Sequence, residues 1–239
     1  MAWISLQLAA MGCLRRSFVL VIGVVLTCAS LGFAREKAIT PELSKIGDGK
    51  SWSVIHADAS AAVEMGQSVV RLKPWGDPQV GSNIGLALVD GVEFAEGTLE
   101  IDLKGNGKQE ASFLGVAFNV ADARTFEAIY FRPFRFMSDD VASRAHAVQY
   151  VAWPSYTWEK LRKEKPGVYE SAVKPVPDPS GWFHARIEVT KRKVSVWVDD
   201  AREPSLVVDR LARRGTGKVG LWVDSKQGGF RNLKILPAK

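Results

Sequence analysis

The sequence predicts an all-β fold, a two-sheet antiparallel jelly-roll sandwich with one short helix in a loop. Three observations predict it. Short apolar runs recur about every 8–15 residues from Trp52 to the end of the chain. Several alternate apolar and polar residues with period two, as a strand with one buried face requires. Glycines such as Gly91, Gly97, Gly105, Gly107, Gly215, Gly217, Gly228 and Gly229 separate the runs, where turns need positive φ. Many short strands with almost no helix make a sandwich or barrel. About 190 residues is long for an immunoglobulin-type sandwich, which needs about 100, and suits a larger jelly roll.

The first element is not part of that fold. Residues 1–34 carry Arg15 and Arg16 and no acidic residue. An uncharged apolar run, 17–30, follows, and then Gly32-Phe33-Ala34. A basic start, an apolar stretch and a small-x-small site read as a signal peptide cleaved after Ala34. The run is short for a bilayer span of about 20 residues, and a retained anchor is the alternative. Arg15-Arg16 leaves ordinary and twin-arginine export both open. Cleavage leaves 205 of 239 residues, and Cys13 and Cys28 leave with the signal. The expected mature protein is exported, periplasmic or extracellular. It folds without disulfides and has no thiol chemistry.

Residues 35–50 are mostly polar and read as a short N-terminal arm or an early edge segment, and 51–239 as the jelly-roll domain. Within it the strands read as 67–72, 83–89, 98–103, 113–120, 128–134, 145–152, 183–189, 194–198, 206–208, 218–223 and 230–236. In Thr98-Leu-Glu-Ile-Asp-Leu-Lys104 the apolar side chains share one face, and Glu100, Asp102 and Lys104 the other. Residues 157–165 form the one helical stretch, stopped by Pro166-Gly167.

Composition narrows the function. The chain is 46% apolar and 24% charged, which excludes wholesale disorder and collagen-like repeats. Its net charge is +6, and loss of Arg15 and Arg16 brings it to +4. That balance, without an arginine-rich stripe, gives no nucleic-acid partner, and the mature form needs no membrane. His56, His146 and His184 have no metal-ligand spacing, so no metal site is predicted.

The end of the chain, Gly217-Lys-Val-Gly-Leu-Trp222 followed by Phe230-Arg-Asn-Leu-Lys-Ile235, resembles the closing strands of concanavalin A-like lectin/glucanase jelly rolls. Laminin-G-like and DUF1080 (3-keto-disaccharide hydrolase) domains share this ending. Gly97-Thr-Leu-Glu-Ile-Asp-Leu103, Phe113-Leu-Gly-Val-Ala-Phe-Asn119 and Trp182-Phe-His-Ala-Arg-Ile-Glu-Val189 resemble other strands of the superfamily. The resemblance covers roughly residues 50–236 and implies the jelly roll. It also implies a structural calcium ion as an option, for which Asp139-Asp140 and Asp199-Asp200 are candidates. Both pairs read equally as turn residues. Laminarinase-type hydrolases carry E-x-D-x-x-E on one strand; here Glu100-Ile-Asp102 continues as Leu103-Lys104-Gly105, without the third carboxylate. Glu100 and Asp102 therefore read as a solvent-facing strand edge. The usual DUF1080 N-S-G-I and E-x-Q motifs are absent.

Residues 130–170 depart from a plain sandwich. They hold every tyrosine in the chain (Tyr130, Tyr150, Tyr156 and Tyr169), together with Trp153 and Trp158. Arg132, Arg135, Gln149 and Arg162 are interleaved with them. Aromatic faces stack on sugar C–H surfaces, and planar polar groups grip hydroxyl pairs. These ten residues are the predicted ligand site. Arg132 and Gln149 are expected to point into the concave sheet, and Tyr156, Trp158, Arg162 and Tyr169 to lie on a covering loop. The competing reading is that the arginines only clamp a long loop onto the sheet.

The function read from the sequence is an exported carbohydrate-binding jelly roll. A small glycan hydrolase or lyase on the same fold is the alternative, with Glu170, His146, Glu127, Tyr130 or Tyr150 as its acid or base. A laminin-G-like protein-interaction module is the third reading. A titratable pair about 5–10 Å apart in one cavity would mark an enzyme, and an aromatic platform alone a binding module.

Overall fold

A computed structural model describes residues 38–75, 83–107, 112–212 and 215–238. Residues 1–34, read above as a signal peptide, lie outside them, as do residues 35–37. Among the described residues no helix is long and apolar enough to cross a membrane.

Among the described residues fourteen strands run in chain order: β1 (Trp52–Ile55), β2 (Ala57–Glu64), β3 (Gln67–Pro74), β4 (Ile84–Val89), β5 (Gly97–Lys104), β6 (Phe113–Asp122), β7 (Thr125–Phe131), β8 (Val148–Trp153), β9 (Glu170–Ser171), β10 (Phe183–Val189), β11 (Lys193–Val198), β12 (Leu206–Asp209), β13 (Lys218–Asp224) and β14 (Gly228–Pro237). Two short helices, α1 (Val141–Arg144) and α2 (Trp158–Glu164), lie between β7 and β9. One sheet has the order β1-β4-β13-β6-β7-β8-β9, the other β12-β11-β10-β5-β14-β3-β2. Every strand pairing is antiparallel. This is the predicted all-β sandwich.

The inner faces follow from alternation. On β5, Leu99, Ile101 and Leu103 are fully buried, while Glu100 and Asp102 turn outward. On β7, Phe131 meets Phe183 of β10 edge-on at 5.1 Å, so that face looks into the sandwich. Phe136, just past the strand, reaches the same Phe183 at 5.2 Å.

Two charged groups share this interior. Glu127 on β7 is fully buried and its carboxylate faces Arg210, which follows β12 in the other sheet. The guanidinium donates from Nε and Nη2 at 2.8–3.0 Å. Its Nη1 donates to the carbonyls of Ala95 and Thr190. Asn119 and Tyr150 donate to the remaining carboxylate lone pairs. A buried charge is tolerated when it is paired and hydrogen-bonded in this way.

Several expectations are corrected. Glu127 is no catalytic candidate, because the inward parity of β7 delivers it to Arg210. The strand expected over 128–134 ends at Phe131, because Pro133 opens a 3-10 turn, Pro133–Arg135, and has no N–H for a ladder. The strand expected from Ala145 begins at Val148, because Asp140 caps α1 by accepting from the N–H groups of Ala142 and Ser143. Strand β2 has no sequence-level counterpart: its alanines and polar residues are poor strand formers, and pairing with β3 across the Met65-Gly66 turn makes it. The segment expected as an arm packs onto the domain: Ile39 bridges Ile235, and Leu43 and Ile46 are buried. Glu100 and Asp102 face outward as expected, but β5 is central, not an edge. Asp102 accepts from Arg231 and Asn232 and pairs with His184 Nδ1 at 2.8 Å. His184 is therefore an outward-facing partner of Asp102.

Removing one member of the Glu127–Arg210 pair strands the other as a buried charge. Arg210→Met is expected to lower unfolding stability in urea by about 3 kcal/mol or more. Glu127→Gln combined with Arg210→Met is expected to lose less than Arg210→Met alone, because no charge remains inside.

Candidate functional site

Because Phe131 faces inward, its neighbour Tyr130 faces outward. Gly115 on β6 lies between Tyr130 of β7 and Trp222 of β13, paired with both. With no side chain at Gly115, the two rings meet across it. Their centroids are 4.6 Å apart and the planes differ by 25°. A Cβ on Gly115 would lie 2.0 Å from the Ile129 carbonyl oxygen, so only glycine fits. The same outward parity brings up Phe113, Val151, Trp153 and Asp224.

Helix α2 covers one side of this face. Thr157 caps it by accepting from the Lys160 N–H, and Leu161 anchors it by burial. Trp158, Glu159 and Arg162 then project toward the sheet. Between helix and sheet lies an open cavity of about 340 Å³. That is near the small end of ligand pockets, roughly 300–1,000 Å³. Trp222 and Tyr130 lie within its lining, with Trp153 and Trp158 beside them. Arg132, Arg135 and Arg162 bring three guanidinium groups, and Asp224 and Glu159 bring carboxyls.

The polar groups are held rigidly. Arg132 is only 3% exposed. Its Nη1 donates to the His146 carbonyl at 2.6 Å; its Nη2 donates to Tyr130 Oη at 2.9 Å and Gln149 Oε1 at 2.5 Å. The guanidinium also lies over the Tyr130 and Phe113 rings. Burial pulls the Arg132 pKa below its ordinary value. Arg162 grips Glu170 with two parallel bonds, 3.0 and 2.7 Å, while lying over the Trp158 ring. Burial is the largest influence and pushes the Glu170 carboxyl up, but the Arg162 hydrogen bonds together with the charges of Arg162, His146 and Arg132 outweigh it and hold the pKa below the usual range. His146 Nδ1 lies 2.8 Å from Glu170 Oε2; burial still lowers the imidazole pKa. Burial raises the Asp224 pKa, although Ser225 donates to its carboxyl.

Six predicted ligand residues line the cavity: Tyr130, Arg132, Arg135, Trp153, Trp158 and Arg162. Gln149 is fully buried behind Arg132 and Tyr130, where it orients both. Glu170 and His146 stand behind Arg162 and off the cavity wall. Tyr150 and Tyr169 are corrected: both are buried, and their rings pack together at 5.9 Å. Tyr150 alternates with Gln149, so it faces the interior and donates to Glu127 at 2.6 Å. Tyr156 lies outside the cavity lining: its backbone exchanges two hydrogen bonds with Ala152, and the Lys160 ammonium lies over its ring.

Trp222, Asp224, Phe113, Asn83 and Glu159 are site residues that the sequence reading missed. The alternation of 218–224 puts Trp222 and Asp224 on one face. It does not reveal that β13 lies beside β6, far away in sequence. Among the described residues, no three His, Cys, Asp or Glu side chains gather as a metal site. Asp140 caps α1, and Asp199 sits in a positive-φ turn accepting from the His184 N–H.

No family model matches the sequence, and no curated protein matches it. Solved structures do share the fold. The carbohydrate-binding module CBM66 from Bacillus subtilis aligns with a TM-score of 0.51 at 14% identity, over 78% of this chain and 96% of that one. The Ca²⁺-bound exoplasmic/lumenal domain of VIP36 aligns at 0.52 and 13%, over 86% and 93%. A GlcNAc-α1-4Gal-releasing endo-β-galactosidase from Clostridium perfringens aligns at 0.53 and 13%, over 84% and 62%. These likenesses show the fold, a concanavalin A-like sandwich.

The pKa of Glu170 gives a pH test. A carboxyl lowered on folding contributes stability that is complete above its ordinary value of 4.5 and lost as pH falls through the folded value. The melting temperature is expected to drop on acidification below pH 4.5. In Glu170→Gln the neutral-pH melting temperature should start lower, and this part of the acid slope should be gone.

Proposed function

We propose that this domain binds carbohydrate in the cavity between α2 and the outer face of the β13–β6–β7–β8 sheet. One observation carries the reading: a sheet-borne aromatic floor and a half-exposed Trp158 bound the same cavity as fixed guanidinium and carboxyl groups. Aromatic faces suit sugar C–H surfaces, and the planar polar groups suit hydroxyls. The rigid hydrogen-bond network behind Arg132 lowers the ordering cost of binding. Neighbours of the same fold include a carbohydrate-binding module and a glycan-cleaving enzyme by name, which supports the class. The basic, then apolar N-terminal segment supports export, which would place the domain among extracytoplasmic glycans.

A second reading has its own observation. Asp224 and Glu159 line one cavity, and burial favours the protonated form of Asp224, as a general acid requires. On that reading the domain cleaves a glycosidic bond.

Titration against an oligosaccharide panel, followed by tryptophan fluorescence and calorimetry, separates these outcomes. Trp158→Ala is expected to weaken binding about tenfold, corresponding to about 1.4 kcal/mol for a lost stacking face. No binding by any oligosaccharide overturns the proposal. Product release from a bound oligosaccharide, abolished in Asp224→Asn, would select the enzyme.

A further inference from the structure

Two of the three guanidinium groups around the cavity lack a carboxylate hydrogen-bond partner among the described residues. Arg162 is neutralised by Glu170 through both carboxylate oxygens. Arg132 is different: its three hydrogen bonds go to a backbone carbonyl, a phenol and an amide, all neutral. Its Nε–H has no protein partner among the described residues. Arg135 makes one hydrogen bond, from Nη1 to Ser143 Oγ at 3.3 Å, and stacks on Phe134. Its Nε is buried and unpartnered. Neither guanidinium has a carboxylate partner among the described residues. Among the acidic groups nearby, Glu159 lines the same cavity without an ion pair to Arg132 or Arg135, and the others are engaged elsewhere. Asp140 spends both oxygens on the start of α1, and Glu170 spends both on Arg162. Asp224 accepts from Ser225; burial raises its pKa while that hydrogen bond and the Arg132 charge lower it, and it makes no ion pair with Arg132 or Arg135 among the described residues.

A guanidinium taken out of water, as Arg132 is, gains from an anion beside it, and the partly exposed Arg135 adds a second positive group at the same cavity. The planar donor fork of arginine matches a carboxylate in geometry. Deepening the carbohydrate reading on which it rests, we propose that the sugar held here is a hexuronic acid whose carboxylate is received by Arg132 and Arg135. The pyranose ring lies against Trp153 and Trp158. Its hydroxyls meet Asp224 and Asn83, which line the same cavity. On Arg132 the anion meets the Nε–H that the protein leaves open, while Gln149 and Tyr130 hold the guanidinium in place through Nη2.

The test titrates the purified full chain with oligogalacturonate and oligomannuronate, their methyl esters, a sulfated oligosaccharide and neutral gluco-oligosaccharides. A free uronate is expected to bind at least tenfold tighter than its own methyl ester. That preference should shrink as sodium chloride is raised, because ionic attraction is screened. In Arg135→Met the ratio of acid to ester affinity is expected to fall toward one; this side chain is partly exposed, so the variant tests the idea even if Arg132→Met fails to fold. Neutral sugars or esters binding as well as the free acids would overturn the uronate assignment and leave the carbohydrate reading standing. Tighter binding of the sulfated oligosaccharide would overturn the choice of a carboxylate. No binding by any probe would overturn both.

Discussion

The ion pair between Glu127 and Arg210 is the constraint on which the rest of the structure depends. It joins the two sheets through a carboxylate with no solvent access. A strand can slip by one residue only by exchanging its two faces. In β7 such a slip would turn Glu127 to the outer face, strand the Arg210 charge inside and turn Tyr130 into the interior between the sheets. The pair therefore fixes the parity of β7, and cross-strand pairing passes that parity to β6, β8 and β13. Every outward ring of the site inherits its direction from this interior contact. The pair contributes specificity of register more than net stability, since desolvation cancels much of its attraction.

The outer face shows the same physics with the opposite result. Arg132 is as buried as an interior residue, yet its partners are neutral. Hydrogen bonds to neutral acceptors hold its position without cancelling its charge. The Glu170 carboxylate, which could have done so, is taken by Arg162. The cavity thus keeps a positive region beside an aromatic floor, with a carboxyl that burial biases toward neutrality. Rigidity comes from Gln149 and Tyr130, whose polar ends converge on Arg132. These two residues matter to the site by position, although Gln149 is out of reach of a ligand.

Glycine 115 links packing to function. Its missing side chain lets Tyr130 and Trp222 stack across a strand that would otherwise separate them. The stack flattens the cavity floor and leaves the more exposed Trp153 and Trp158 to meet a ring from the side. A sheet gives such a platform precision that a loop would lack, because each ring is fixed by neighbours on both sides.

The sequence by itself determined the fold class, because period-two alternation and regularly spaced turn glycines are local signals. It also marked the 130–170 segment, where six of ten expected ligand residues do line the cavity. Alternation along β8 also puts Gln149 and Tyr150 on opposite faces, which needs no partner strand. Only the tertiary structure decided which face was outside. That choice sent Tyr150, Tyr169 and Glu127 into the interior and brought Trp222 and Asp224 from a strand about ninety residues away. Strand pairing at long sequence separation is set by complementary burial and register, which a single strand does not encode. The same holds for charge: the arginines were visible in the sequence, but which of them found a carboxylate was settled only when the chain packed.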